Sequence, residues 1–295
     1  MLHAAAKVNL VLEILGKRDD GYHELAMVMQ AVDLSDRLRL EASDSLELRT
    51  TDARLPADET NLALRAAIAL RKAAGVERGV RITLDKRIPM AAGLGGGSTD
   101  AAAVLIGLNR LWSLRWPIAK LAEVAVGLGM DVPFFLYGGS ALATGRGEEL
   151  KRVDGRGVAL VLTNPGVGIS TAEAYGAVTP ALYSDGRRAR KMAADVAAGS
   201  RAGVARGLYN ALEAAVTPAH PEIQRMKAAL MAAGALGAAM SGSGATVFGV
   251  ARSIEHARQI QARVTRGSWS AWAVRGLRGP AVRMRSGDNW GVAKR

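Results

Sequence analysis

The chain has no cysteine, which excludes disulfides, thiolate metal sites and a cysteine nucleophile together. Its four histidines, His3, His23, His220 and His256, are too few and too scattered for a histidine-built metal cluster. Aromatic residues make up only 4% and do not interleave with the basic ones, so the stacking platforms of single-strand binders are missing. No apolar run approaches the ~20 residues of a membrane span. The opening MLHAAAKVNLVLEIL also lacks the uninterrupted apolar core of a cleaved signal, which points to a cytoplasmic address.

What remains is the composition of a globular protein, 49% hydrophobic and 22% charged, long enough at 295 residues for two ordinary domains. The formal charge of +12 suits an acidic partner such as nucleic acid, an anionic surface or a phosphorylated small molecule. Its densest cluster is Arg187, Arg188, Arg190 and Lys191, with a few more basic residues at Arg283, Arg285, Lys294 and Arg295. Solvated surface charge accounts for most of these, so neither nucleic acid nor membrane is expected as a partner.

Alternation of polar and apolar residues predicts strands over 7–15, 24–32, 37–40, 46–50 and 80–84, with a turn at GKRDDG, 16–21. Alanine and leucine at helical spacing predict helices over 61–74, which stops at Gly75, and over 118–126. A strand follows at 140–144. The polar, glycine-bearing segment 145–157 is the expected boundary between a domain of 1–154 and one of 155–295. Beyond it come a strand at 158–163, a short helix at 171–177, several helices within 189–233, strands at 246–250 and 270–274, and a helix at 254–264 between them. Strands and helices mix without regular alternation, which reads as α+β with two layered domains facing a shared cleft.

The chain is organised around PMAAGLGGGSTD, 89–100. Gly93, Gly95, Gly96 and Gly97 carry no side chains to pack and cost much to order. The stretch runs into AAAVLIGLNRLW, a strong helix former whose first turn Ser98 or Thr99 can cap. A glycine loop feeding a helix N-terminus gathers free amides and the positive end of the helix dipole, where phosphate binds. No Gly-Lys-Ser/Thr follows, so it is not a Walker A loop, and the spacing is not that of a dinucleotide-binding turn.

The loop resembles the glycine-rich motif of the GHMP kinases, and three more segments resemble that family in the same order. AAAKVNL matches its opening strand, GMDVPFF the segment carrying an acidic residue, and MSGSGATVF its C-terminal glycine loop. DGYHEL, 20–25, and LDKRIPMAAGLGGGSTDAA narrow the resemblance to the branch that phosphorylates a cytidine-diphosphate-linked sugar alcohol on its 2-hydroxyl in isoprenoid precursor synthesis. Two positions depart from the pattern: Ala245 stands where proline is usual, and Ala91 where glycine is frequent.

The resemblance implies the two-domain GHMP kinase fold, an N-terminal ribosomal-protein-like α/β domain and a C-terminal α/β sandwich around a central cleft. It implies Asp131 as the base at the acceptor hydroxyl and Lys7 as its electrostatic partner. By residue type alone the first is more often a turn or cap residue and the second usually a solvated edge charge. For the acceptor it implies Tyr22 and Tyr175 stacking on the cytosine and His23 reading its edge. Asn9, Thr171, Ser241 and Gly242 complete that pole. Ser241 to Gly244 is by itself equally a turn between strands, and Tyr175 equally half-buried packing. ATP is the implied cosubstrate, its adenine near Asn61, Leu62 and Lys86 and its phosphates over Pro89, Gly93, Leu94, Gly95, Gly96, Gly97, Ser98 and Thr99. Mg²⁺ is expected with it, although no carboxylate cage is visible, because bound magnesium retains waters and leans on phosphate oxygens. Ser98, Thr99 and Asp100 are candidates for direct or water-mediated contact with the ion, and Asp100 reads equally as first-turn charge stabilising the helix. The oligomeric state, monomer or homodimer, stays open. Two other readings compete: a family member acting on homoserine or mevalonate, which needs no Tyr22 or His23, and a basic RNA-binding protein.

Overall fold

A computed structural model describes residues 1–265 and 269–284. Arg285, Lys294 and Arg295 of the basic tail lie outside the described residues. The chain opens on a long hairpin, β1 (Leu2–Lys17) and β2 (His23–Ser43), turned at Gly21 with Arg18 N–H donating to the Tyr22 carbonyl. Next come β3 (Leu46–Thr50), α1 (Leu62–Ala74), β4 (Gly79–Asp85) and α2 (Gly96–Leu111). Then follow α3 (Ile118–Val126), α4 (Val132–Tyr137), β5 (Ser140–Thr144) and β6 (Glu149–Val153). The second half runs β7 (Ala159–Asn164), α5 (Thr171–Gly176), α6 (Arg187–Ala197), α7 (Arg201–Gly207), β8 (Tyr209–Asn210) and α8 (Ala211–Val216). It ends with α9 (Glu222–Ala232), β9 (Ala238–Met240), β10 (Val247–Ala251), α10 (Ile254–Val264), β11 (Ser270–Arg275) and β12 (Val282–Met284).

Two sheets organise these elements. The larger has the order β12-β1-β2-β4-β3, with β5 and β6 continuing from β2 and β8 pairing with β1; the smaller is β11-β7-β10-β9. The separate strands predicted at 24–32 and 37–40 are one strand, β2. The polar DLSD between them breaks the alternation, but pairing with Ala4 and Ala5 across a register shift carries the backbone through. The predicted boundary segment contains β6, an exposed edge strand on β5, whose ELKRV has no apolar alternation to announce it. Both β8 and β12 return from the second half to pair with β1, so the two halves share one sheet.

The core has two parts. On one face of the large sheet, Leu2, Leu38, Leu40 and Ile82 join Val104, Leu105 and Leu108 of α2 and Phe134 and Phe135 of α4. On the other, Val8, Leu10 and Val28 join Leu160, Leu162, Phe248 and Val250 of the small sheet. Gly107 explains how α2 sits so close: a Cβ there would run into the Leu40 side chain and come within 2.8 Å of Leu2 Cδ1. Helix caps follow the sequence at α1, where Asn61 accepts from Ala63 N–H and Gly75 closes the end in the left-handed region.

At α2 the expected cap is absent. The N-cap is Gly95, at φ 69°, no side chain caps the helix, and Ser98 and Thr99 lie inside its first turn. The amides of Gly96, Gly97 and Ser98 therefore keep their N–H groups without intrahelical partners.

Candidate active site

The glycine loop, the first hairpin, the start of α4 and α5 together enclose a cavity of about 940 Å³. The glycine loop is one wall. Gly93, at φ 72°, lies so near the second glycine loop that a Cβ would collide with the Ser241 carbonyl, and the Ser241 hydroxyl donates to the Gly93 carbonyl at 2.9 Å. Gly95 packs over Phe135, whose ring carbon would stand 2.7 Å from a Cβ there. Pro89, Leu94 and Gly96 to Ser98 complete this wall, whereas Thr99 is fully buried in α2 and does not reach the cavity. Ser241 is likewise behind the wall, bonded to Asn9 N–H as well as Gly93, while Gly242 reaches the cavity. Ala91 adopts φ 47°, a left-handed backbone that glycine holds without strain.

The acceptor pole is built on β1. Lys7 N–H donates to the Leu94 carbonyl at 3.0 Å, which ties the strand to the phosphate loop. Its ammonium donates to Asn9 Oδ1 at 2.6 Å and lies 3.4 Å from Asp131 Oδ2. Alternation along the strand puts Lys7 and Asn9 on one face. Asp131 stands at the N-cap of α4 yet makes no capping bond, so its carboxylate is free to face the cavity, 29% exposed, with the nearly buried Lys7 beside it. The ammonium and the carboxylate thus stand side by side at the cavity wall.

A third pole is aromatic. His23 stacks on Tyr175 with centroids 5.4 Å apart and meets Tyr183 edge-on at 6.4 Å. Tyr22, half exposed, carries the Arg146 guanidinium over its ring at 5.3 Å. His23 and Tyr175 are thus already partners of one another, with Tyr22 and Arg146 the other aromatic-cationic pair of this end. Burial, then the Lys17 charge, pushes the His23 imidazolium below its usual range, which leaves a neutral ring with one donor and one acceptor at pH 7. Burial, then the Asp131 charge, pushes the Tyr175 hydroxyl up, so it stays a phenol. Thr171, at the start of α5, lines the same end.

At the opposite end Asn61 and Leu62 line the cavity. Asn61 is partly committed to the fold, accepting from Ala63 N–H and donating to the Pro56 carbonyl at 2.9 Å, which leaves one amide hydrogen and one lone pair for a ligand. Lys86 reaches this wall too, but its ammonium is held by Asp36 and Asp100 at 2.6 and 2.7 Å. Asp100 is therefore not a solvated first-turn charge. Among the described residues no group of three or more histidine or acidic side chains could hold a metal. The basic cluster on α6 is largely engaged within the fold, with Arg187 on Asp185, Lys191 on Asp195 and Arg188 over the Tyr209 ring.

Sequence reasoning missed three residues of this site. Arg146 lies in a polar segment that reads as a linker, and Asp36 in the DLSD that reads as a strand break. Asn210 donates to the Met240 and Gly242 carbonyls at 2.9 and 2.8 Å and so fixes the second glycine loop; it sits within a run of helical residues and gives no signal.

Two glycine loops back to back, with a lysine–carboxylate pair at the end of the loop that feeds α2, define a small-molecule kinase. Comparison with known proteins agrees: the models of the GHMP kinases N terminal domain and GHMP kinases C terminal match residues 61–139 and 192–270. The chain belongs to the GHMP kinases, phosphotransferases that act on an alcohol with ATP. It is 49% identical over 266 residues to a 4-diphosphocytidyl-2-C-methyl-D-erythritol kinase of Pelotomaculum thermopropionicum, covering 89% of this chain and 93% of that one. It is 48% identical over 265 residues to the protein of the same name from Gloeobacter violaceus, covering 88% of each. A crystal structure of 4-(cytidine 5'-diphospho)-2C-methyl-D-erythritol kinase superposes with a TM-score of 0.81 at 38% identity, covering 94% of this chain and all of that one. A homoserine kinase from Cytophaga hutchinsonii shares the fold alone, with a TM-score of 0.77 at 22% identity over 96% of each chain. Among the described residues no helix is long and apolar enough to cross a membrane.

Proposed function

We propose that the chain transfers the γ-phosphoryl group of ATP to the 2-hydroxyl of 4-diphosphocytidyl-2-C-methyl-D-erythritol, a step of non-mevalonate isoprenoid precursor synthesis. The observation that carries this reading is the Lys7–Asp131 pair, joined through one backbone bond to a loop of unpartnered amides. The acceptor oxygen attacks phosphorus, the bond from the γ-phosphorus to the β–γ bridging oxygen breaks, and ADP leaves with that oxygen. The hydroxyl proton passes to Asp131, and Lys7 holds both the carboxylate and the nucleophile in place. The amides of Gly96, Gly97 and Ser98 receive the triphosphate, and Leu62 and Asn61 flank the adenine. Magnesium would enter with the nucleotide and would supply screening of the transferred charge; among the described residues no carboxylate cage awaits it.

The lobes 1–154 and 155–295 face each other across this cleft and are stitched together by β8 and β12. The aromatic end favours a cytosine over homoserine or mevalonate, which would leave Tyr22, His23, Tyr175 and Arg146 without work. His23→Ala is expected to weaken binding of the cytidyl sugar alcohol by about 10- to 100-fold, the worth of a well-placed buried hydrogen bond, and to leave the affinity for ATP within about threefold. Calorimetric titration with each ligand checks this, and equal losses for both would remove base recognition from His23. The test of the function itself is ATP consumption dependent on the cytidyl sugar alcohol. Retention on RNA that collapses with salt, with no turnover, would support the nucleic-acid reading instead.

A further inference from the structure

Beside the glycine loop, at the cavity wall, two nearly buried carboxylates share one nearly buried ammonium. Asp36 on β2 is fully buried, Asp100 on α2 is 2% exposed, and the Lys86 side chain between them is 5% exposed. The two carboxylates are not equivalent. Asp36 accepts from Lys86 Nζ at 2.6 Å and from the Arg87 and Ile88 amides at 2.6 and 2.8 Å. Asp100 accepts from Lys86 alone, at 2.7 Å, and its Oδ1 is buried with no partner. A carboxylate with three donors carries its charge cheaply, and one with a single donor and a bare oxygen does not. The trio touches the loop directly, since a Cβ on Gly96 would stand 2.9 Å from Lys86 Nζ.

We propose that Asp100 is a positioning residue that keeps its proton while Asp36 carries the charge, so that the trio fixes Lys86 against the phosphate loop at zero net charge. Loss of that proton places one uncompensated negative charge behind the loop and weakens ATP binding. Desolvation, offset in part by Lys86 and reinforced by Asp36, pushes the Asp100 carboxyl up to about 8, so the loss falls on the alkaline side of neutrality. The other charges facing the trio are paired: Asp52 with Arg54 in the loop after β3, and Lys7 with Asp131 across the glycine loop.

The inference rests on the triphosphate lying over Gly96 to Ser98, and the experiment separates the two. Magnesium–ATP affinity is measured by calorimetry from pH 7 to 9.5 for the parent, Asp100→Asn and Asp100→Ala. The parent is expected to lose affinity toward tenfold per pH unit above about 8, the slope of one linked proton. Asp100→Asn, which copies the neutral acid, loses that alkaline limb relative to the parent, any titration of the nucleotide being common to both. Asp100→Ala leaves Lys86 without its second anchor and binds more weakly at every pH, and Asn in place of Ala restores affinity. Parallel profiles for the parent and Asp100→Asn overturn the inference. Absence of ATP binding by the parent at any pH overturns instead the placement of the nucleotide.

Discussion

Asp131→Asn is expected to lower turnover by about a thousandfold, in the middle of the range for a lost general base, while ATP affinity stays within about threefold. The substitution keeps the size of the side chain and its place at the start of α4, where it makes no capping bond, so the helix has nothing to lose. What disappears is the carboxylate 3.4 Å from the Lys7 ammonium, and with it the group proposed to accept the proton of the receiving hydroxyl. In the proposed placement the nucleotide lies on the amides of Gly96 to Ser98 in the neighbouring loop, not on Asp131. Single-turnover kinetics read the chemical step and titration with ATP reads binding. Turnover within tenfold of the parent would mean that the carboxylate only orients the acceptor, and a matching loss of ATP affinity would mean that the site is one undivided unit.

The second large effect is expected at Gly93. Gly93→Ala forces a Cβ into the Ser241 carbonyl at a backbone angle, φ 72°, that alanine resists. The two glycine loops must then part, breaking the bond from the Ser241 hydroxyl to the Gly93 carbonyl and releasing the loop that Leu94 ties to Lys7. The specificity constant for ATP is expected to fall by about a hundredfold or more, as small misplacements of positioning groups do. Gly166→Ala supplies the control. It has the same backbone problem, φ 81°, with nothing within 4 Å of the added Cβ, and lies outside the cavity. It should cost about 1 kcal/mol of stability, the penalty of the backbone region alone, and leave turnover unchanged. Thermal denaturation and steady-state kinetics of both variants distinguish collision from backbone strain. Equal loss of activity in both would place the effect in general destabilisation.

Much of this site is written along the chain because the elements that hold it are local. A glycine run before an alanine-rich helix, an aspartate before Val-Pro, and a Tyr-His pair after a turn each show themselves within a dozen residues. Even there, local reading misplaced the cap of α2. Ser98 and Thr99 are good capping residues by type, but the docking of Gly93 against Ser241 and of Gly95 over Phe135 accompanies a helix start at Gly95, three or four residues earlier, which leaves its first amides open.

The sequence by itself determined an anion-binding loop at a helix start, because such loops and strand alternation are encoded by neighbours and need no distant partner to be recognised, while the class of chemistry came from the resemblance of four segments to the GHMP kinases. The tertiary structure alone decided which charges are paired. Asp36, Lys86 and Asp100 meet across 50 and 14 residues of chain, and their burial together turns three ordinary surface residue types into one buried ionic cluster. It also decided that β8 and β12 complete the first sheet, since strands of two and three residues carry too little pattern to be read before β1 offers them an edge.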